Sequence, residues 1–379
     1  MGKRGQGEGT IRKRTDGRWE AMLTIPQDDG TSKRRSIYGK TQGEVRKKLT
    51  EARRTLDQGD TLITDRQTVE AFLDRWLRDV VRPSVRPKTY DSYQQVVRLY
   101  IKPGVGAHQL NSLQPQHVQA MMNARLAAGL SPRTVQYMRA VLRRALGQAL
   151  KWGMVTRNVA TLVDPPKSER HEMQALCPEE AARFLSVAQG DRLEALYRVA
   201  LSIGLRQGEI LGLSWEDVNL DTGRLTVRRQ LQRIGGKPQL VDLKTRQSRR
   251  TISLPTMLVQ SLRKHRTQQI EERLLLGEKW KGAAWGLVFT STIGTPLDPR
   301  NLTDRYKKLL ASAALPAIRF HDLRHSCASL LIAQGVPMEI VKETLGHSQI
   351  SLTINTYVHL LPETQRQAAD AMDRLFATA

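Results

Sequence analysis

Between residues 65 and 164, apolar side chains recur at helical spacing. Val69, Phe72, Leu73, Trp76 and Leu77 form one stripe, the pattern that buries one face of an α-helix. Prolines at Pro83 and Pro87 predict an interruption, after which a second stripe runs from Lys88 to Ile101 through Tyr90, Tyr93, Val97 and Tyr100. Pro115 to Leu126 predicts a third helix. Ser131-Pro132 opens a fourth, through Val135, Met138, Leu142, Leu146 and Leu150, with proline at the first position, where its missing amide costs nothing.

The period changes on either side of this bundle. Residues 9–14, 19–25 and 34–38 read as short strands around the turns Thr15-Asp16-Gly17 and Asp28-Asp29-Gly30. Thr41 then reads as the N-cap of a helix through Val45, Leu49 and Leu56 to Gly59. Residues 165–172, P-P-K-S-E-R-H-E, have the composition of a linker. Beyond them, Cys177-Pro178 opens a helix and Leu193 to Ile203 forms the next. Stretches 224–231, 239–243 and 250–254 alternate as strands, and 318–361 holds two helical patterns broken at Gly335 and Pro337. The fold class is multidomain α+β, mostly α. A small three-stranded sheet plus helix, with its linker, is expected over 1–64 and a helical bundle over 65–164. A linker over 165–172 leads to a mostly helical domain with a small antiparallel sheet over 173–379.

Charge adds a partner. The formal charge is +23 and the pI near 10.4, an excess that implies a polyanion. Residues 1–60 alone hold 15 Lys and Arg against 9 Asp and Glu. A membrane surface would attract such a chain too, but no apolar run approaches the ~20 residues that span a bilayer, and no signal-peptide pattern opens the sequence. Nucleic acid is the expected partner, in a reducing cytoplasm. Cys177 and Cys327 are the only cysteines, too few for a disulfide framework or a cysteine zinc site. Trp19, Arg34 and Arg35 on the small sheet, and Arg139 and Arg143 on the fourth helix, are candidate DNA contacts; a merely solvated basic face is the plain alternative.

Candidate chemistry lies in four stretches. Arg206 sits between Gly204 and Gly208 with Glu209 next, and Lys244 starts a polar turn after the middle strand. His321 and Arg324, three apart, share a helix face. His347 follows a Leu-Gly step, and Tyr357 lies ten positions on. Singly, each has an ordinary explanation: a surface charge, a solvated turn lysine, a helix-end histidine, a core tyrosine. His321, Asp322 and His325 also raise a metal site, but no further acidic cluster supports one.

Taken together, G-L-R-Q-G-E-I-L-G-L, L-K-T-R-Q-S-R-R-T-I-S-L, F-H-D-L-R-H-S, L-G-H-S and I-N-T-Y resemble the tyrosine recombinases, and among them the phage-type integrases. The helical segment resembles that family's core-binding domain, and the N-terminal piece its arm-binding domain. The resemblance implies a catalytic set of Arg206, Lys244, His321, Arg324, His347 and Tyr357, with Glu209 supporting the first arginine. It implies a site-specific recombinase that cuts and rejoins DNA through a 3′-phosphotyrosine, without ATP, metal or other cofactor. The partners it implies are double-stranded core-type and arm-type attachment sites, a homotetramer acting through a Holliday junction, a host DNA-bending protein and an excision factor. In the family a C-terminal segment packs on a neighbouring protomer; here the candidate runs from Thr364 to Phe376. The alternatives are a DNA-binding regulator that keeps the fold without the chemistry, and a type IB-like topoisomerase.

The chemistry suits these residue types. A tyrosine oxygen can displace a deoxyribose and store the phosphodiester energy in a covalent link, which agrees with the absence of a G-x-x-x-x-G-K-[ST] phosphate loop. Arginine forks neutralise phosphate oxygens at any physiological pH. Lysine suits the general acid for the leaving oxygen, and histidine titrates near the working pH.

Overall fold

The computed structural model describes residues 10–26, 32–57, 67–168, 174–243 and 248–346. The chain divides into two units, Met1–Glu169 and Arg170–Ala379.

In the first unit, β1 (Thr10–Lys13), β2 (Trp19–Pro26) and β3 (Ser32–Gly39) form an antiparallel sheet in the order β1-β2-β3. Helix α1 (Gln42–Asp57) covers one face. Ala21 and Leu23 point at Val45, Leu49 and Ala52, and Ile11, Trp19 and Ile37 pack against this cluster. Cross-strand partners share a face. Arg35 pairs with Leu23 in the register, and Arg34 lies opposite Thr24, on the outer face.

The bundle departs from expectation at its prolines. Helix α2 (Val69–Trp76) does not stop at Pro83. It continues through a π-helical turn, Leu77–Val81, into α3 (Arg82–Ser84), the Arg82 amide reaching back five residues to the Leu77 carbonyl. The same device recurs where α4 (Pro87–Val96) passes through Val97–Ile101 into α5 (Lys102–Val105), which carries Pro103. A proline ring crowds the carbonyl four residues back; a turn closed five residues back relieves that crowding. The first break comes instead at Val85, which is extended, immediately before Arg86-Pro87. Helices α6 (Pro115–Ala127) and α7 (Pro132–Lys151) complete the bundle. Phe72, Leu73, Trp76, Ile101, Met122, Met138 and Leu142 are its largest fully buried side chains.

The second unit begins with α8 (Pro178–Val187), α9 (Glu194–Ser202) and the short α10 (Gln207–Leu211). The stretch read as one strand over 224–231 is two. β5 (Arg224–Val227) lies between β4 (Val218–Asn219) and β8 (Arg250–Ser253), while β6 (Arg229–Ile234) pairs with β7 (Lys237–Asp242) in a separate two-stranded sheet. Gly235 and Gly236, at φ +57° and +79°, supply the two-residue reversal, a pair of left-handed positions that suits a tight hairpin. Helices α11 (Thr256–Leu276) and α12 (Pro299–Ser312) follow. Finally α13 (Asp322–Ala333) and α14 (Met338–Leu345) are separated by Gly335 and Pro337, as the sequence predicts. Phe184, Tyr197, Phe289 and Tyr306 anchor the large core, and Cys327, Ala328, Ile332, Val341 and Leu345 form a small one between α13 and α14. Among the described residues, no helix is long and apolar enough to cross a membrane.

Candidate active site

The site forms where the end of α9, the start of α10, the start of β8, α13 and the end of α14 meet. After Ser202 the chain turns at Gly204, whose φ is +61°. A β-carbon there would lie 2.5 Å from Leu345 Cδ2 and 3.2 Å from Cys327 Sγ. Glycine is therefore required both for the turn and for the close approach of α13 and α14. Two residues on, Arg206 is the extended N-cap of α10.

Glu209 reaches back to that cap: its Oε2 accepts from the Arg206 amide at 3.1 Å. Its Oε1 accepts from Arg206 Nη1 at 2.6 Å, and Oε2 also accepts from Arg250 Nη2 at 3.0 Å. The Glu209 side chain is 1% exposed. Burial alone would raise its pKa, but the charges of Arg250 and Arg206 outweigh it and hold the carboxyl below the ordinary value.

Arg324, on α13, is 2% exposed. Its Nη1 donates to the Gly204 carbonyl at 2.8 Å, whereas Nη2 is buried with no hydrogen-bond partner among the described residues. Burial and the neighbouring Arg206 pull its pKa down to about 9, so it remains cationic at neutral pH. His321 stands at the N-cap position of α13, without a capping bond from its side chain. Surrounding protein and the Arg324 charge hold its imidazole below the ordinary histidine value. His325 meets it edge to face at 5.3 Å between ring centres.

Arginine also holds the end of α14. Arg206 Nη2 donates to the Gly346 carbonyl at 3.2 Å, and Arg250 Nε to the Thr344 carbonyl at 2.7 Å. Such terminal carbonyls lack helical partners and carry the negative end of the helix dipole. Gly346 is left-handed, at φ +68°, and is the last described residue. The sequence-derived residues Arg206, Glu209, His321 and Arg324 thus come together in one region. Lys244, His347 and Tyr357 lie outside the described residues, as does the helix expected from Thr364 to Phe376. Arg250 was missed by sequence reading. Its one signal, a basic residue opening a strand, is common on protein surfaces.

Two guanidiniums, Arg206 and Arg250, pair with the single carboxylate of Glu209, and the third, Arg324, lies near enough to feel its charge without bonding to it. The other buried acid nearby, Asp322, is taken by Arg319 at 2.8 Å. The described site thus carries surplus positive charge and an unused buried donor, a combination that calls for an anion.

The first unit places the remaining candidates. Trp19 packs against the core under α1 instead of standing free. The outer face of the sheet carries Arg12, Arg14 and Tyr38, with Arg12 donating to Glu20 at 2.9 Å and Arg14 lying over the Tyr38 ring. On α7, Arg139 is half-buried and Arg143 exposed. Arg139 lines a groove of about 610 Å³ with Arg133, Gln136, Tyr137 and Pro165.

Residues 174–364 match the model of the phage integrase family, and residues 68–125 that of the phage integrase N-terminal SAM-like domain. A tyrosine recombinase XerC-like protein of Caldanaerobacter subterraneus subsp. tengcongensis is 31% identical over 376 residues, covering 94% of this chain and 96% of that protein. Among solved structures, the Tn1549 transposon integrase in complex with transposon right end DNA has the same fold. Its TM-score is 0.66 at 22% identity, over 82% of this chain and 99% of that one. A lambda integrase tetramer bound to a Holliday junction gives 0.58 at 19% identity, over 91% of this chain and 94% of that one. The chain belongs to the phage integrase family. It is a site-specific DNA recombinase of the tyrosine type.

Proposed function

We propose that this recombinase integrates and excises a phage or mobile element, with Arg206, Lys244, His321, Arg324, His347 and Tyr357 as its catalytic residues. The observation that carries the reading is the anion-hungry cluster: two guanidiniums on one carboxylate and a third, Arg324, beside them, its Nη2 buried and without a partner among the described residues. A scissile phosphate is the anion that fits. Arg206 and Arg324 bind its non-bridging oxygens, and preorganised donors of this kind gain most as charge builds in the transition state.

The Tyr357 oxygen attacks phosphorus and forms a 3′-phosphotyrosine. The bond to the 5′ oxygen breaks, and Lys244 supplies the proton that this oxygen takes up. His321, held neutral at pH 7 by its surroundings, can accept the tyrosine proton. His347 donates to the phosphate. Attack by a 5′ hydroxyl on the phosphotyrosine reverses these steps and rejoins a strand without ATP.

The partners are double-stranded attachment sites. Transposon-end DNA in the Tn1549 complex and the Holliday junction held by the lambda tetramer support a tetramer that exchanges strands here. The outer face of the N-terminal sheet, with Arg12, Arg14, Arg34 and Tyr38, is the candidate arm-site reader. The Arg133 and Arg139 groove on α7 is a candidate core-site contact. A host DNA-bending protein and an excision factor complete the set that the family implies. The test is covalent capture: the full chain, incubated with its core-site DNA, should form an SDS-resistant protein–DNA adduct, and Tyr357→Phe should form none.

A further inference from the structure

We propose that Arg250, outside the six-residue catalytic set, is a positioning residue for strand cleavage, setting Arg206, the chain that enters β8 at Ser248 and the exit of α14 relative to one another. The inference rests on the reading above.

The Arg250 side chain is only 7% exposed, and all three of its guanidinium nitrogens are used. Nη2 donates to Glu209 Oε2 at 3.0 Å, and Glu209 in turn grips Arg206. Nη1 donates to the Ser248 carbonyl at 3.1 Å, on the chain that returns from Lys244. Nε donates to the Thr344 carbonyl at 2.7 Å, in the last turn before Gly346. The guanidinium also lies against Gly346 itself, where a β-carbon would sit 2.9 Å from Nη1. Three stretches far apart in sequence are thereby registered on one rigid, planar cation.

The geometry requires a fork. A lysine ammonium is a single point of charge and cannot reach three acceptors that a guanidinium spans. Arg250 is nearly buried and each of its nitrogens already holds a protein acceptor, which suits it to positioning and not to binding the phosphate. Its contribution is the placement of Arg206 and of the chain leading to His347 and Tyr357. In such sites a misplacement of about 1 Å can lower a rate by about 100-fold.

The test is single-turnover adduct formation by the full chain on a nicked suicide duplex, alongside binding of the same duplex. The duplex carries the core sequence that the protein selects from a random DNA library. Arg250→Ala is expected to lower the adduct rate by about 100-fold while duplex affinity is retained, and added guanidinium ion is expected to restore part of the rate. Arg250→Lys should recover little; it carries the same comparison if the alanine variant does not fold. Adduct formation at the parent rate by both variants overturns the proposal, as does a loss of affinity equal to the loss of rate. An absence of adduct from the parent chain overturns instead the assignment of the site on which the inference rests.

Discussion

Arg324 donates to the carbonyl of Gly204 at 2.8 Å, so the second arginine of the site is registered on the turn that sets the first. The bare Cα of Gly204 also lets Leu345 close over it. Gly204→Ala would add a left-handed non-glycine residue and a contact that must relax. Overpacking of this kind costs about 1–3 kcal/mol, with backbone strain in addition. The variant is expected to melt at a lower temperature and to cleave more slowly, because α13 and α14 must shift. An unchanged melting temperature with unchanged cleavage would show that the approach is not needed.

Acid should weaken the site through His325. Burial and the neighbouring His321 push its pKa down to about 4. The folded chain therefore binds this proton less readily than the unfolded chain does, and the stabilisation is full above the ordinary histidine value of 6.5. It is lost as pH falls through about 4. His325→Phe keeps a ring against His321 and removes the titration. Its melting temperature should fall less than that of the parent between pH 6.5 and pH 4, in parallel scans. Identical slopes would contradict the assignment.

The N-terminal sheet should govern one class of DNA site only. Removing residues 1–64 is expected to abolish arm-site binding and regulated integration while core-site binding remains measurable in gel shifts. Full integration by the truncated chain would exclude a role for the sheet in bridging two duplex segments.

How much of this was legible depended on the range of the interactions. The bundle stripe from Val69 to Leu77 and the break at Gly335 and Pro337 follow from local periodicity and turn chemistry, and the structure has both. Arg206, Glu209, His321 and Arg324 were found as motifs, and the fold gathers them. Arg250 was not, because its meaning lies in contacts 41 and 94 residues away. Pro83 misled for a different reason: proline forbids the ordinary α-helical bond, but a π turn carries the helix past it. The split of 224–231 at Arg228 lies in the choice of partner, β8 for the first half and β7 for the second, which alternation along one strand does not encode. Trp19, a candidate DNA contact in the sequence, lies on the strand face turned towards α1, which only its alternation with the strand's other residues reveals.

The central claim is that a phenol oxygen attacks a phosphate held by buried arginines, and trapping on a 5′-phosphorothiolate-nicked core site tests it most directly. The leaving thiol cannot religate efficiently, so the account predicts accumulation of a covalent protein–DNA species by the parent chain, with the link mapped to Tyr357 by peptide mass. The account is contradicted if Tyr357→Phe accumulates the same species, or if the link maps to another residue.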